Sequence, residues 1–93
     1  MGEVHMSARP RLVAHARLQW DSVRGKRVLL APERVLVLNE TAAAVLARCD
    51  GRRSVSDIAA LLGVQYRRDV AEEVCTLLNR LAGKGLIEVA GHD

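Results

Sequence analysis

The chain has almost no aromatic rings: one Trp, one Tyr and no Phe among 93 residues. A core must therefore be built from Leu, Val, Ala and Ile. A binder that stacks single-stranded nucleic acid on aromatic platforms is poorly provided for. Only two cysteines occur, Cys49 and Cys75. They have neither the spacing of a metal site nor the density of a disulfide framework, and their apolar neighbours suggest buried free thiols. No apolar run approaches the length of a transmembrane helix. The N-terminus lacks the apolar stretch of a secretory signal. These features lead to the expectation of a cytoplasmic protein. Repeats and low-complexity segments are also missing.

Motifs for catalysis are equally scarce. His5, His15 and His92 show no ligand spacing and read as surface histidines. The glycines do not form a phosphate loop, and no zinc-protease motif is present. The residues suggest no enzyme, no cofactor and no metal site.

What is present bounds the class. Hydrophobic residues make up 49% of the chain, enough for one small globular domain and too many for a disordered one. The net charge of +3 is unevenly spread. Residues 1–38 hold seven Lys or Arg against three Asp or Glu, a net +4; residues 39–93 hold seven against eight, a net −1. The basic half could steer an acidic partner, or simply keep the surface solvated.

Periodicity divides the chain. "LVAHARLQW" (12–20) alternates as a strand does, "DSVRGK" reads as a turn, and "RVLLA" (27–31) reads as a second strand. Pro32 and Glu33 make a tight turn into "RVLVL" (34–38). Short connections predict that these three strands are antiparallel neighbours. The third is apolar at every position from Val35 to Leu38, one face more than a half-buried strand requires.

Three helices follow. Asn39 can cap a first over 40–48, stopped by Asp50 and Gly51. Ser54 and Asp57 resemble a capping box for a second over 54–63, closed by Gly63. Asp69 and Glu72 announce a third over 70–83, and "LIEV" (86–89) is a short tail, extended in character. The expected architecture is α+β: an N-terminal three-stranded antiparallel sheet, then a winged helix-turn-helix-like bundle. Residues 1–10 are expected to be a flexible N-terminus, 11–90 one domain and 91–93 a tail.

The third helix has an unusually wide apolar sector, ~160° at 100° per residue. Val70, Val74, Leu77 and Leu81 form one stripe; Ala71, Cys75, Leu78 and Ala82 form a second beside it. Either two other helices cover this sector, or the second stripe lines a groove with strand 34–38 as its opposite wall. The helical half also reads as a DNA-binding winged helix. Against that, Asp69, Glu72 and Glu73 stand where base contacts would be made, only partly offset by Arg67 and Arg68, and little chain follows "LIEV" for a wing. Self-association through an open strand edge is another reading.

The residues also resemble a known family. "WD" at Trp20 and Asp21, "VLLAPE" at 28–33, "LNETAAAVL" at 38–46, "CDG" at 49–51, the "SVSDIAALL" helix and "LLNRLAGKGLI" at 77–87 are similar in order and spacing to the PqqD family. The resemblance covers about residues 11–89. It implies a peptide chaperone of pyrroloquinoline quinone biosynthesis, a recognition element for ribosomally made, modified peptides. Such a protein binds the precursor PqqA and presents it to PqqE, a radical S-adenosylmethionine enzyme. The implied mode is strand addition to 34–38 against the third helix. The site residues would be Arg34, Val35, Leu36, Val37, Leu38, Arg67, Arg68, Ala71, Val74, Cys75 and Leu78. Whether 35/37 or 36/38 faces the helices is open at this level. Trp20–Asp21 and Cys49–Gly51 read as turns or helix ends that maintain the fold.

Overall fold

The computed structural model describes residues 4–90. The chain runs β1 (Arg9–Leu12), β2 (Arg17–Asp21), β3 (Lys26–Ala31), β4 (Arg34–Val37), α1 (Glu40–Ala47), α2 (Val55–Tyr66), α3 (Ala71–Gly83) and β5 (Ile87–Ala90). β2, β3 and β4 form the expected antiparallel sheet with β3 in the centre. β1 and β5 form a separate two-stranded sheet that joins the two ends of the chain.

The single strand expected over 12–20 is thus two strands in two sheets. A turn closed by the Ala16 N–H on the Val13 carbonyl (3.0 Å) interrupts the alternation, and His15 sits exposed within it. Beyond the turn the chain leaves the sheet, because β1 has a better partner in the C-terminal strand. Arg11 lies opposite Glu88 and the two side chains are 2.7 Å apart. The expected flexible segment 1–10 also contrasts with what is described of it. Ala8 and Pro10 are buried, and the Met6 and Ala8 carbonyls accept from Ser56 and Val55 N–H at 2.9 Å. Residues 1–3 and the tail 91–93, including His92, lie outside the described residues.

The first two helices begin where their caps predict. The Asn39 carboxamide oxygen accepts from Ala42 N–H at 2.7 Å. Ser54 and Asp57 complete their box in both directions, at 3.0 and 3.1 Å. The second helix, however, does not stop at Gly63. Nothing in Val64, Gln65 or Tyr66 breaks a helix, so it runs on until Arg67 takes a left-handed conformation (φ 58°). Gly63 serves a different purpose: a Cβ there would lie 3.3 Å from the Arg68 carbonyl, where the chain folds back.

The core is aliphatic. Leu29 and Leu38 of the sheet region meet Val45 and Leu46 of α1, Val55, Ile58 and Leu62 of α2, and Val74, Leu78 and Leu81 of α3. Cys49 belongs to this core. Its thiol reaches the Val45 carbonyl at 3.3 Å, and burial pushes its pKa up to about 12. Next to it, the Asp50 carboxylate accepts from Arg52 and Arg53 N–H at 2.8 and 3.1 Å, which holds its pKa below the ordinary value. Gly51 completes the corner with φ +80°, its N–H donating to Pro10 carbonyl. The "CDG" residues therefore maintain the fold, as the sequence suggests.

Gly51→Ala places a side chain at a left-handed φ and against Arg11. It should destabilise the protein by about 1–2 kcal/mol, read as a lower midpoint in denaturant unfolding with an unchanged slope.

Candidate functional site

The exposed rim of the three-stranded sheet is set by its register. Leu38 N–H donates to the Arg27 carbonyl at 3.0 Å, and Leu29 lies opposite Leu36. Antiparallel ladders alternate bonded and non-bonded pairs. Leu36 and Leu38 therefore direct their backbone groups at β3. Val35 and Val37 direct theirs away from the sheet, and among the described residues no other element bonds them. Side chains settle the parity: Leu36 is half-buried and Leu38 buried, whereas Val35 and Val37 are 52% and 50% exposed. The 36/38 face meets the helices.

Beside this edge lies a groove with a cavity volume of about 520 Å³. Leu36, Val37 and Leu38 form one wall, Thr41, Ala42 and Val45 of α1 the floor, and α3 the other wall. So strand 34–38 and the third helix do face each other across a hollow. The face of α3 is not the one the sequence suggests. It contributes Glu72, Glu73, Thr76, Leu77, Arg80 and Leu81, with Lys84 at its C-cap.

The expected helix residues lie elsewhere. Val74 and Leu78 are fully buried in the core. Ala71 and Cys75 are half-buried and do not line the groove. Cys75 Sγ lies 3.4 Å from Met6 Sδ, and the neighbouring Asn79 accepts from Val4 N–H. The N-terminal segment thus covers the second stripe. Of the arginines, Arg68 pairs with Glu73 at 2.8 Å, Arg67 is the left-handed end of α2, and Arg34 opens β4; all three are exposed.

Leu77 is the informative omission. Sequence periodicity places it in the core stripe, but it is half-buried and lies on the groove wall. A signal was available: Glu73, Leu77, Arg80 and Lys84 recur at helical spacing, a polar face interrupted by one leucine. The groove is also polarised. Glu72 and Glu73 stand at one end of α3; along the axis Arg80 lies about 12 Å and Lys84 about 18 Å from Glu72, at 1.5 Å rise per residue.

Residues 26–87 match the family described as Coenzyme PQQ synthesis protein D (PqqD). The chain is 44% identical over 90 residues to a PqqA binding protein of Rhodopseudomonas palustris (strain TIE-1), covering 94% of this chain and 88% of that protein. It is also 50% identical over 74 residues to the bifunctional coenzyme PQQ synthesis protein C/D of Methylorubrum extorquens, covering 80% of this chain and 20% of that larger protein. Among solved structures, the solution NMR structure of the PqqD part of Methylobacterium extorquens PqqCD superposes with a TM-score of 0.74 at 45% identity, covering 85% of this chain and 87% of that one. That structure is described as a stand-alone recognition element for ribosomally synthesised and post-translationally modified peptides. The crystal structure of PqqD from Xanthomonas campestris gives 0.56 at 40% identity, covering 81% and 87%. The class is thus that of a small α+β recognition fold with an open strand edge beside a helix. The chain belongs to the PqqD family.

The two thiols should separate cleanly under alkylation. Cys49 should stay unmodified in the folded protein, because it is buried and its thiol is held neutral. Met6→Gly should raise the labelling rate of Cys75 alone, as followed by intact-mass spectrometry.

Proposed function

We propose that this chain is a non-catalytic peptide chaperone of pyrroloquinoline quinone biosynthesis. It takes the precursor PqqA as an added strand on β4 and presents it to the radical S-adenosylmethionine enzyme PqqE. One observation carries the mode of binding: the outward backbone groups of Val35 and Val37 border an apolar-floored groove of matching direction. Backbone pairing supplies affinity with little demand on sequence, and the groove selects side chains. Leu36, Leu77 and Ala42 are the apolar contacts, and the opposed charges of Glu72 and Lys84 give the peptide a preferred direction. The names of the relatives, which are PqqA binding proteins, support the choice of peptide.

Under this reading the contact set differs from the sequence-based one. Val35 and Val37 act through their backbones, and Arg34 and Arg68 reach leader carboxylates at the rim. Val74 and Leu78 support the wall from beneath. Ala71, Cys75 and Arg67 stand aside. DNA binding is disfavoured by the exposed Asp69, Glu72 and Glu73 at the start of α3, since neutralising phosphates dominates such affinity.

Titrating isotope-labelled protein with synthetic PqqA should shift amide signals of residues 34–38 and of Leu77 and Arg80. Salt-sensitive binding of duplex DNA with no response to the peptide would overturn the proposal. Concentration-dependent shifts of the same amides without peptide would assign the edge to a second copy instead.

Val37→Pro removes one outward N–H while sparing the ladder to β3. The fold should persist and affinity for PqqA should fall about tenfold, roughly the worth of one backbone hydrogen bond and its alignment. Unchanged affinity in the folded variant would rule out pairing at that position.

A further inference from the structure

The sheet has a second open edge, with a second hollow beside it. β3 bonds to β4 through Arg27 and Leu29, so it bonds to β2 through Lys26, Val28 and Leu30, opposite Asp21, Gln19 and Arg17. Leu18 and Trp20 therefore point their backbone groups outward, and among the described residues no other element bonds them. Their side chains fall on the helical side of the sheet, opposite Leu29 and Arg27.

There they line a hollow of about 740 Å³. Its floor is small, made of Ala43, Ala44 and Ala47 of α1, with Tyr66 from the end of α2 at the side. The chain's only two aromatic residues thus border one cavity. Trp20 is 55% exposed, an unusual position for the sole tryptophan of a small domain. The turn chemistry of the "WD" pair is done by Asp21, whose carboxylate accepts from Val23 and Arg24 N–H. Trp20 has no part in that, so the fold does not account for it.

The charge here is cationic. Lys26 and Arg27 line the hollow, and among the described residues neither has an ion-pair partner. Glu40 is the single acid in the lining. Arg17 stands exposed on the neighbouring β2. A second copy of this chain fits less well, because its β2 would bring Arg17 and one carboxylate, Asp21, which Arg24 already holds. An extended acidic segment of another protein fits well. Its backbone continues the sheet, one apolar side chain enters between Trp20 and the alanines, and its carboxylates meet Lys26 and Arg27.

This hollow is separate from the peptide groove. The two share only Leu38 and Asn39 and lie on opposite flanks of α1, which turns Thr41, Ala42 and Val45 to one and Ala43, Ala44 and Ala47 to the other. We propose that the β2 edge and its hollow form a second docking site, for an extended acidic segment of a partner protein, occupied independently of the groove at β4.

Trp20 makes the test direct, since tryptophan emission reports this site alone. The full chain is titrated with a blocked octapeptide alternating glutamate and valine, and with its lysine counterpart. The acidic peptide should move the emission to shorter wavelength with saturation. It should also shift the Leu18 and Trp20 amides and leave those of Val35 and Val37 in place. The lysine peptide should have no effect. Lys26→Glu with Arg27→Glu, both exposed positions, should weaken the acidic peptide about tenfold, as charge reversal at an interface does; a circular dichroism spectrum like that of the unsubstituted chain establishes the fold. Unchanged emission, an equal response to both peptides, or shifts confined to Val35 and Val37 would overturn the proposal. So would emission that depends on protein concentration alone, which assigns the edge to self-association. Because the readouts sit on different strands, failure here and failure of PqqA binding at β4 are distinguishable.

Discussion

The pairing of β1 with β5 is the constraint on which the rest depends. It joins Arg9 to Ala90 and Leu12 to Ile87, so nearly the whole chain lies between partners. Closing so long a loop costs conformational entropy, and the ladder alone returns little of it. Packing returns the remainder. Once the ends are joined, residues 4–8 are drawn across α2 and α3, where Ala8 is buried and Met6 meets Cys75. That placement covers one flank of α3 and leaves the other facing β4. The position of the groove is thus a consequence of where the chain ends meet.

The middle of the chain follows a simpler logic. Three short strands cannot close on themselves, so the sheet keeps two edges. Helix α1 lies between those edges as a ridge, and each flank forms a hollow with a different neighbour: α3 on one side, the end of α2 and Trp20 on the other. Open edges ordinarily invite aggregation. Here they are only four and five residues long and flanked by charge, which limits them to short, specific pairing.

Much of this was legible in the residues. The β2–β3–β4 sheet, the helix order and the caps at Asn39 and Ser54 depend on near neighbours, and local patterns reported them. Apart from the overrun of α2 past Gly63, which is local, the misreadings share one cause. The break at Val13–Ala16, the fate of Cys75 and the facing of Leu77 all depend on the N-terminal segment, whose partners lie about seventy residues away in Asn79, Cys75 and Glu88. Helical periodicity measured the width of the apolar sector on α3 correctly, but it could not say which boundary of that sector would be covered. The groove wall was assigned to the small residues at one boundary; it formed at the other, where Leu77 interrupts a charged face.

By itself, then, the sequence determined the class of fold, the strand with an open edge and the family, because periodicity, turn chemistry and motif order are local or linear properties. Only the tertiary structure decided that Val35 and Val37 present their backbones outward, that α3 offers Leu77 and Arg80 in place of Cys75 and Leu78, and that Trp20 borders a hollow of its own. Those are matters of register and coverage. Register is fixed by which backbone groups find partners across the sheet, and coverage by which distant segment reaches a face first. Neither is written in any short stretch of the chain.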